Sequence, residues 1–411
     1  MSATDPPAPA QGPLDLLFIG AGEVFTDGAP MTDTAVGVRD GLIAYLGPPS
    51  AAPAAGETVD LAGALLTPGL VDPHTHLVFA GDRAGEYAER SAGTSYLEIA
   101  RRGGGIARTM HATRAASVET LIALARPRLD QLLQCGVTTA EVKSGYGLTT
   151  ADELKMLEVV RRLDAEHPID LVATFLGAHT VPPERARQRY LDAVVDEMIP
   201  AVAEAGLAEF CDVFVEKGAF DIAEGRRVLE AGLKHGLRPK VHADQLSPGG
   251  GAELAAALGA ASADHLEHVS PAGIEALAAA GTVAVLLPGA AMFLGSDDRA
   301  PARALADAGV PVALSTDCNP GTCHSTNLLL MLTLGMSRLG LTPAEALDAV
   351  TRHAAQSIGR AAVAGRIAPG RPADLAIYAV ASHRHLPYHF GMLPTRAVYK
   401  AGRRVFSAPT D

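Results

Sequence analysis

Two histidines separated by one residue, His74 and His76, end an apolar run that begins at Thr67. Side chains at positions i and i+2 of an extended strand point to the same side, so both imidazoles can converge on one ion. Imidazole is the commonest metal-binding side chain and suits zinc and iron. The pair alone is weak evidence, because two solvated loop histidines fit the spacing equally well. The interpretation therefore depends on partners elsewhere in the chain.

The central part of the chain alternates between apolar runs of strand length and segments with apolar residues at helical spacing. Eight strands are predicted at 70–76, 137–143, 169–178, 210–216, 238–242, 262–267, 283–287 and 310–316. Helices between them are predicted at 118–135, 151–166, 184–205, 222–235 and 271–280. This alternation predicts a (β/α)8 TIM-like barrel, in which catalytic groups lie at the C-terminal ends of the strands.

Short strand-like runs separated by Gly, Asp and Pro occur near both ends of the chain. They lie at 15–21, 35–39, 42–46 and 58–61, and again at 374–379, 397–400 and 403–406. We expect both ends to form one small β-sandwich domain. The predicted fold class is therefore α/β, with a barrel and a small β-sandwich domain. The predicted division is 1–67 for the N-terminal part of the sandwich, 68–364 for the barrel and 365–411 for the C-terminal part of the sandwich.

The composition limits the class of partner. The 411 residues have a formal net charge of -12 and a pI near 5.6, which argues against nucleic acid or an anionic membrane as the principal partner. No basic segment followed by an apolar core marks a signal peptide, and no run reaches the ~20 apolar residues of a membrane span. The four cysteines form no secretory pattern. We therefore expect a cytoplasmic protein that acts on a small molecule.

Further polar residues fall at the ends of predicted strands. His242 ends the fifth strand and Asp317 follows the eighth, so both can join His74 and His76 at one barrel mouth. Three imidazoles and one carboxylate suit one divalent ion per chain, Zn²⁺ or Fe²⁺, which can lower the pKa of water from ~15.7 to about 7. His265 on the sixth strand could orient the nucleophile or transfer its proton.

This layout resembles the amidohydrolase superfamily, with its His-x-His strand, its histidines on strands five and six, and its aspartate after strand eight. Within that superfamily, several segments resemble the imidazolonepropionase family of histidine degradation. They are residues 78–83, 103–106, 141–148, 175–179, 242–245 and 315–322. The resemblance implies a homodimeric, metal-dependent hydrolase of a cyclic amide, which opens 4-imidazolone-5-propanoate to N-formimidoyl-L-glutamate.

The resemblance also implies roles for individual residues. Arg83 would bind the propanoate, because a guanidinium can donate two parallel hydrogen bonds to a carboxylate. Without the resemblance, a surface salt bridge from Arg83 to Asp82 or Glu86 would be the better interpretation. The other implied substrate contacts are Tyr96, Tyr146, His179, Gln245, Asn319, Gly321 and Thr322. The candidate catalytic groups are His265, Asp317, His179 and Gln245.

Two positions leave alternatives open. Metal-dependent deaminases of the superfamily, and many imidazolonepropionases, resemble His-x-x-Glu after strand five, whereas this chain has Gln245, an amide that can hydrogen-bond but cannot titrate. Lys217 follows the fourth strand, where two-metal members of the superfamily use a carboxylated lysine as a bridge. The alternative functions are a related deaminase or cyclic-amide hydrolase, against which Gln245 counts, and a non-catalytic protein that kept the fold, against which the complete set of candidate metal ligands counts.

Overall fold

A computed structural model describes residues 12–94, 98, 99 and 102–409. Its strands are β1 (Leu14–Ile19), β2 (Glu23–Thr26), β3 (Ala29–Met31), β4 (Ala35–Arg39), β5 (Leu42–Gly47), β6 (Ala55–Asp60), β7 (Leu65–Pro68), β8 (Leu70–Asp72), β9 (Val137–Lys143), β10 (Asp170–Ala178), β11 (Phe210–Val215), β12 (Arg238–Ala243), β13 (Ser262–His265), β14 (Val283–Leu286), β15 (Val312–Leu314), β16 (Leu375–Tyr378), β17 (Thr395–Lys400) and β18 (Arg403–Ser407).

The helices follow the same chain order. They are α1 (Ala84–Ser91), α2 (Ile106–Ala115), α3 (Val118–Gln134), α4 (Thr150–Glu166), α5 (Arg187–Ala193), α6 (Ile199–Glu204), α7 (Ile222–Lys234), α8 (Gly251–Ala257), α9 (Pro271–Ala280), α10 (Pro288–Leu294), α11 (Ala302–Asp307), α12 (Leu328–Leu339), α13 (Pro343–Ala349), α14 (Arg352–Ser357) and α15 (His385–Tyr388). A π-helical turn, Val194–Met198, joins α5 to α6. In the described part of the chain, no helix is both long and apolar enough to cross a membrane.

Strands β8 to β15 form one parallel sheet in chain order. Backbone hydrogen bonds join its two ends: the N–H of His76 donates to the carbonyl of Cys318 at 3.0 Å, and the N–H of Asp317 donates to the carbonyl of His74 at 3.1 Å. Asp72 joins the same two ends of the sheet. Its carboxylate accepts from the N–H of Thr316 at 3.1 Å and from the Thr316 hydroxyl at 2.6 Å. The predicted (β/α)8 barrel is confirmed.

The first barrel strand is shorter than predicted. β8 ends at Asp72, because Pro73 has no N–H to donate to the neighbouring strand. The two histidines therefore lie just beyond the strand, in the segment that forms the seam with Cys318. Their neighbours in space are the residues that follow the last barrel strand.

The chain ends form the predicted sandwich. One sheet has the order β5-β4-β1-β6 and the other the order β18-β17-β16-β7-β2-β3, so the second sheet mixes strands from both ends. Their shared core includes Phe18, Ile43, Leu66, Ile377 and Tyr399. The sequence did not predict β2, β3 or β7. The exact domain boundaries, after residues 67 and 364, stay predictions.

Candidate active site

Three histidines form a compact, buried cluster at the C-terminal end of the barrel. One ring nitrogen from each of His74, His76 and His242 lies within 4.8 Å of the others. Oδ1 of Asp317 is 3.6 Å from Nε2 of His74 and 3.7 Å from Nε2 of His76. Ligands held about 2.0–2.2 Å from one ion lie roughly 3–4 Å apart. The two distances from Asp317 to the histidines fall in this range.

The protonation of this cluster favours metal binding. Burial lowers the pKa of His74 and of His76 well below the usual value, which keeps both imidazoles neutral, as metal ligation requires. Among the described residues, Nε2 of His74 and Nε2 of His242 are buried without a hydrogen-bond partner, although such atoms are normally paired. Burial raises the pKa of Asp317 to about 7, and a nearby cation would favour its charged form. The donor set therefore fits a divalent ion.

Two aspartates that the sequence analysis missed face the outer nitrogens of these histidines. Nδ1 of His74 lies 2.6 Å from Oδ2 of Asp264, and Nδ1 of His242 lies 3.0 Å from Oδ2 of Asp212. Carboxylates in this position orient metal-bound imidazoles and fix their tautomers. A fully buried carboxylate within an apolar strand is rare, and that signal could have found both residues.

His265 ends β13 beside the cluster. Its ring centroid is 5.4 Å from that of His242 and 5.6 Å from that of His74. The backbone at His265 has φ of 81°, a conformation that L side chains rarely adopt and that the surrounding structure must hold in place. Burial lowers its pKa well below the usual value, so the ring is neutral. Nδ1 of His265 is 4.0 Å from Oε2 of the buried Glu267.

The cluster opens into a cavity of about 530 Å³, within the usual size range of small-molecule sites. The predicted site residues on its wall are His76, Arg83, Tyr146, His179, His242, Gln245, His265, Asp317, Asn319, Gly321 and Thr322. His74 is fully buried behind them. Tyr96 lies outside the described residues. The wall also includes residues that the sequence did not predict: Ile106, Thr180, Phe214, Glu216, Leu246 and Leu294.

A buried arginine forms one part of the wall. Nε of Arg83 donates to Oε2 of Glu86 at 2.7 Å, and the carboxylate of Glu86 also accepts from the N–H of Gly105 at 3.2 Å. The ion pair with Glu86 therefore forms, but both side chains are buried rather than on the surface. A Cβ at Gly321 would lie 2.2 Å from Nη1 of Arg83, so the guanidinium lies directly against this glycine.

Asn319 shapes the loop that carries Gly321. Its Oδ1 accepts from the N–H of Gly321 at 2.8 Å and from the N–H of Thr322 at 2.7 Å. Its Nδ2 donates to the carbonyl of Asp317 at 2.7 Å. One amide thus connects the backbone beside Arg83 with the backbone of the candidate metal ligand.

Three aromatic rings line the wall beside the histidine cluster. His76 and His179 stack with centroids 5.3 Å apart and an interplanar angle of 19°. The ring of Tyr146 lies 5.5 Å from His179. Burial lowers the pKa of His179 to about 4, so this ring is neutral. Such a surface can pack against a planar heterocycle.

Two carboxylates fix the loop that carries Gln245. Asp244 accepts from the N–H groups of Gly249, Gly250 and Ala252 at 2.8, 2.9 and 3.0 Å. Glu216 accepts from the N–H of Leu246 at 2.8 Å. Gln245 therefore lies on the cavity wall between two anchored neighbours.

The fourth barrel strand turns an aromatic ring, rather than a metal ligand, toward the cluster. The ring of Phe214 is 5.8 Å from that of His242 and 6.2 Å from that of His179. Lys217 comes three residues later and lines the outer part of the cavity. Its backbone N–H donates to Glu216 at 2.8 Å.

Comparisons with known proteins agree with this architecture. The model of the amidohydrolase family matches residues 65–405. An adenosine deaminase from Xanthomonas campestris with bound zinc has the same fold, with a TM-score of 0.72 and 19% identity over 95% of this chain and 93% of that one. The chain belongs to the amidohydrolase family, and it is a metal-dependent hydrolase.

Curated relatives define a narrower group within that family. The imidazolonepropionase of Myxococcus xanthus is 51% identical over 408 residues, which cover 95% of this chain and 97% of the relative. The imidazolonepropionase of Symbiobacterium thermophilum is 48% identical over 414 residues, which cover 96% of this chain and 97% of the relative. Within the amidohydrolases, the chain belongs to the imidazolonepropionase family.

Proposed function

We propose that this protein hydrolyses 4-imidazolone-5-propanoate to N-formimidoyl-L-glutamate in histidine degradation. Water adds to the ring carbonyl carbon, the bond from that carbon to the ring nitrogen breaks, and the nitrogen takes a proton. The observation that carries the proposal is that one cavity contains both a cluster of metal-binding histidines and a buried arginine. The near full-length similarity to imidazolonepropionases supports it.

We infer that one divalent ion, Zn²⁺ or Fe²⁺, is held by His74, His76, His242 and Asp317. When bound, such an ion polarises a carbonyl and lowers the pKa of water. A single ion is supported by Phe214, because this ring packs beside His242 at the end of the strand where a bridging lysine would be needed. Metal analysis that gives two ions per chain would instead support a bridge through Lys217.

The substrate would lie with its propanoate on Arg83 and its ring against His179 and Tyr146. The hydrogen bond from Nε of Arg83 to Glu86 holds the guanidinium at the cavity wall, where it could donate to the ligand carboxylate. Asn319 fixes the loop beside this guanidinium. These contacts would set the distance between the carboxylate and the metal centre and so select the substrate.

Proton transfer would involve groups next to the ring that opens. His265 is neutral and beside the cluster, so it can accept a proton from water and return it to the leaving ring nitrogen. Asp317 and His179 are the other candidates for these transfers. Gln245 would hydrogen-bond the substrate and hold it in place, because an amide does not titrate.

The test is turnover by the purified protein with its metal content measured. We expect about one divalent ion per chain, loss of the imidazolonepropanoate absorbance, and N-formimidoylglutamate in the mass spectrum. Reactions without protein correct for spontaneous decay of the substrate. A metal-loaded protein that leaves imidazolonepropanoate intact but releases ammonia from cytosine or adenosine would contradict the proposal and favour a deaminase.

We further propose a cytoplasmic homodimer. Cys135, Cys211, Cys318 and Cys323 are free and buried, which suits a reducing compartment. Tyr388, Phe390 and Met392 expose 80%, 63% and 61% of their surface, and a second copy of the chain would cover such a patch. Sedimentation equilibrium should give a dimer that dissociates on Phe390→Ser. A wild-type monomer at micromolar concentration would contradict this.

A further inference from the structure

The barrel interior beneath the histidine cluster is filled by charged side chains. Barrels of this kind are usually packed there with branched apolar residues. Here the layer instead contains five completely buried charged residues, which are Glu141, Lys143, Asp212, Lys240 and Asp264. Burial of charge is costly unless each group is paired with good geometry. The arrangement of these pairs therefore bears on what the layer does.

Lys143 contacts the two carboxylates that face the metal-binding histidines. Its Nζ lies 2.8 Å from Oδ2 of Asp212 and 3.5 Å from Oδ2 of Asp264. The same two oxygen atoms lie 3.0 Å from Nδ1 of His242 and 2.6 Å from Nδ1 of His74. One ammonium group thus contacts the same two carboxylate oxygens that face the imidazoles of His242 and His74.

The other oxygen of each aspartate accepts hydrogen bonds from its own strand or from the neighbouring one. Oδ1 of Asp212 accepts from the N–H of Val213 at 2.7 Å and from the N–H of His242 at 3.2 Å. Oδ1 of Asp264 accepts from the hydroxyl of Ser262 at 2.5 Å. One oxygen of each carboxylate therefore accepts hydrogen bonds from the barrel strands, and the other faces Lys143 and an imidazole.

We propose that Lys143 is a positioning residue of the metal centre, which fixes the imidazoles of His74 and His242 by linking Asp264 to Asp212. The proposal rests on the metal site of the proposed function and adds a residue that does not itself bind the metal. Lys143 ends β9, so the second barrel strand contributes to the site although it supplies no ligand.

Lys240 provides a matched comparison within the same layer. It is also completely buried, and its Nζ lies 3.3 Å from Oε1 of Glu141, which Lys143 contacts at 2.8 Å. Its other contacts are the carbonyl oxygens of Pro73 at 3.4 Å and Ser357 at 3.5 Å. Lys240 thus shares the burial and the glutamate contact of Lys143, and its charge also acts on Asp264, but only Lys143 contacts both aspartates that face the histidines.

The experiment compares Lys143→Met with Lys240→Met in the full-length protein. Zinc affinity is measured by competition with a chromophoric chelator, and the visible absorption of the Co²⁺-substituted protein reports ligand geometry. We expect Lys143→Met to weaken zinc binding by about tenfold or more and to shift the Co²⁺ spectrum, as loss of an outer-shell partner does. Lys240→Met should keep the wild-type spectrum and an affinity within about threefold.

Equal zinc affinities for the two variants, or an unchanged Co²⁺ spectrum in Lys143→Met, would overturn the proposal. If Lys143→Met does not fold, Lys143→Met/Glu141→Gln removes one buried charge of each sign and leaves both aspartates in place. Wild-type zinc affinity in that double variant would also overturn it. A wild-type protein that binds no zinc, iron or cobalt would instead contradict the proposed function, so the two failures are distinguishable.

Discussion

Replacement of Gly321 by alanine should disable the proposed site at Arg83 for the substrate carboxylate while the protein still folds. The added Cβ would lie 2.2 Å from Nη1 of Arg83, so the guanidinium must move. Only the end of a flexible side chain has to shift, and the φ of Gly321 is not in the left-handed region. Because the guanidinium that must move is ion-paired with Glu86, the free energy of unfolding should fall by about 1–3 kcal/mol, the usual cost of overpacking.

The expected kinetic loss follows from the hydrogen bond that the displaced guanidinium can no longer make. A hydrogen bond to a charged group contributes about 1.5–3 kcal/mol, which corresponds to about a 10- to 150-fold fall in kcat/KM. The fall should appear mainly as a higher KM, because the carboxylate is remote from the ring that opens. Steady-state kinetics with imidazolonepropanoate measures both constants.

Two controls make this prediction specific. Gly85→Ala adds a methyl group on α1 close to Arg83 in sequence, where no atom lies within 4 Å of the new Cβ, so kcat/KM should be unchanged. A substrate analogue with a neutral amide in place of the propanoate should react equally well with wild type and Gly321→Ala. If Gly321→Ala lowers kcat/KM for the analogue as much as for the natural substrate, Arg83 does not recognise the carboxylate and the reasoning fails.

Three further predictions concern groups around the histidine cluster. His265→Ala should lower kcat by ~100-fold or more, the scale of a lost acid or base, and a near-normal kcat would remove His265 from proton transfer. Gln245→Glu adds a titratable group to the cavity wall and should change the pH profile of kcat/KM; an identical profile would show that this position acts only structurally. Burial raises the pKa of Glu267 to about 8, so between about pH 4.5 and pH 8 the folded chain keeps a proton that the unfolded chain has released, and stability falls as the pH rises. Relative to wild type, Glu267→Gln should therefore gain up to about 4 kcal/mol in unfolding free energy between about pH 5 and pH 9, measured by denaturant titration, and a constant difference across that range would refute the burial argument.

The barrel and much of the site could be predicted from sequence because they depend on local patterns. Apolar runs mark the strands, and polar residues at their ends, such as His242 and Asp317, must share one mouth once the strands are parallel. The chain order of the strands then places each residue approximately. No distance between side chains is needed for this inference.

Other features depend on contacts between residues far apart in sequence. The Asp72 carboxylate helps to close the barrel by accepting hydrogen bonds from Thr316. This contact can be recognised only once the segment after β15 is known to lie beside Asp72. The pairing of Asp264 with His74 joins residues 190 positions apart. Short strands such as β7 are hard to predict for the same reason, because its four buried residues are defined as a strand only by their partners β16 and β2.

The position of β7 also constrains how the enzyme is made in the cell. β7 pairs with β16 near the end of the chain, and a single glycine, Gly69, separates β7 from β8, which leads to His74 and His76. β16 must therefore leave the ribosome before β7 can pair with it. Until then, the segment that leads from β7 to His74 and His76 lacks this contact. Pairings this distant in sequence form slowly, since the intervening chain must close a long loop. Truncation near the C-terminus, although far from the active site in sequence, should therefore impair assembly of the metal centre rather than only the sandwich.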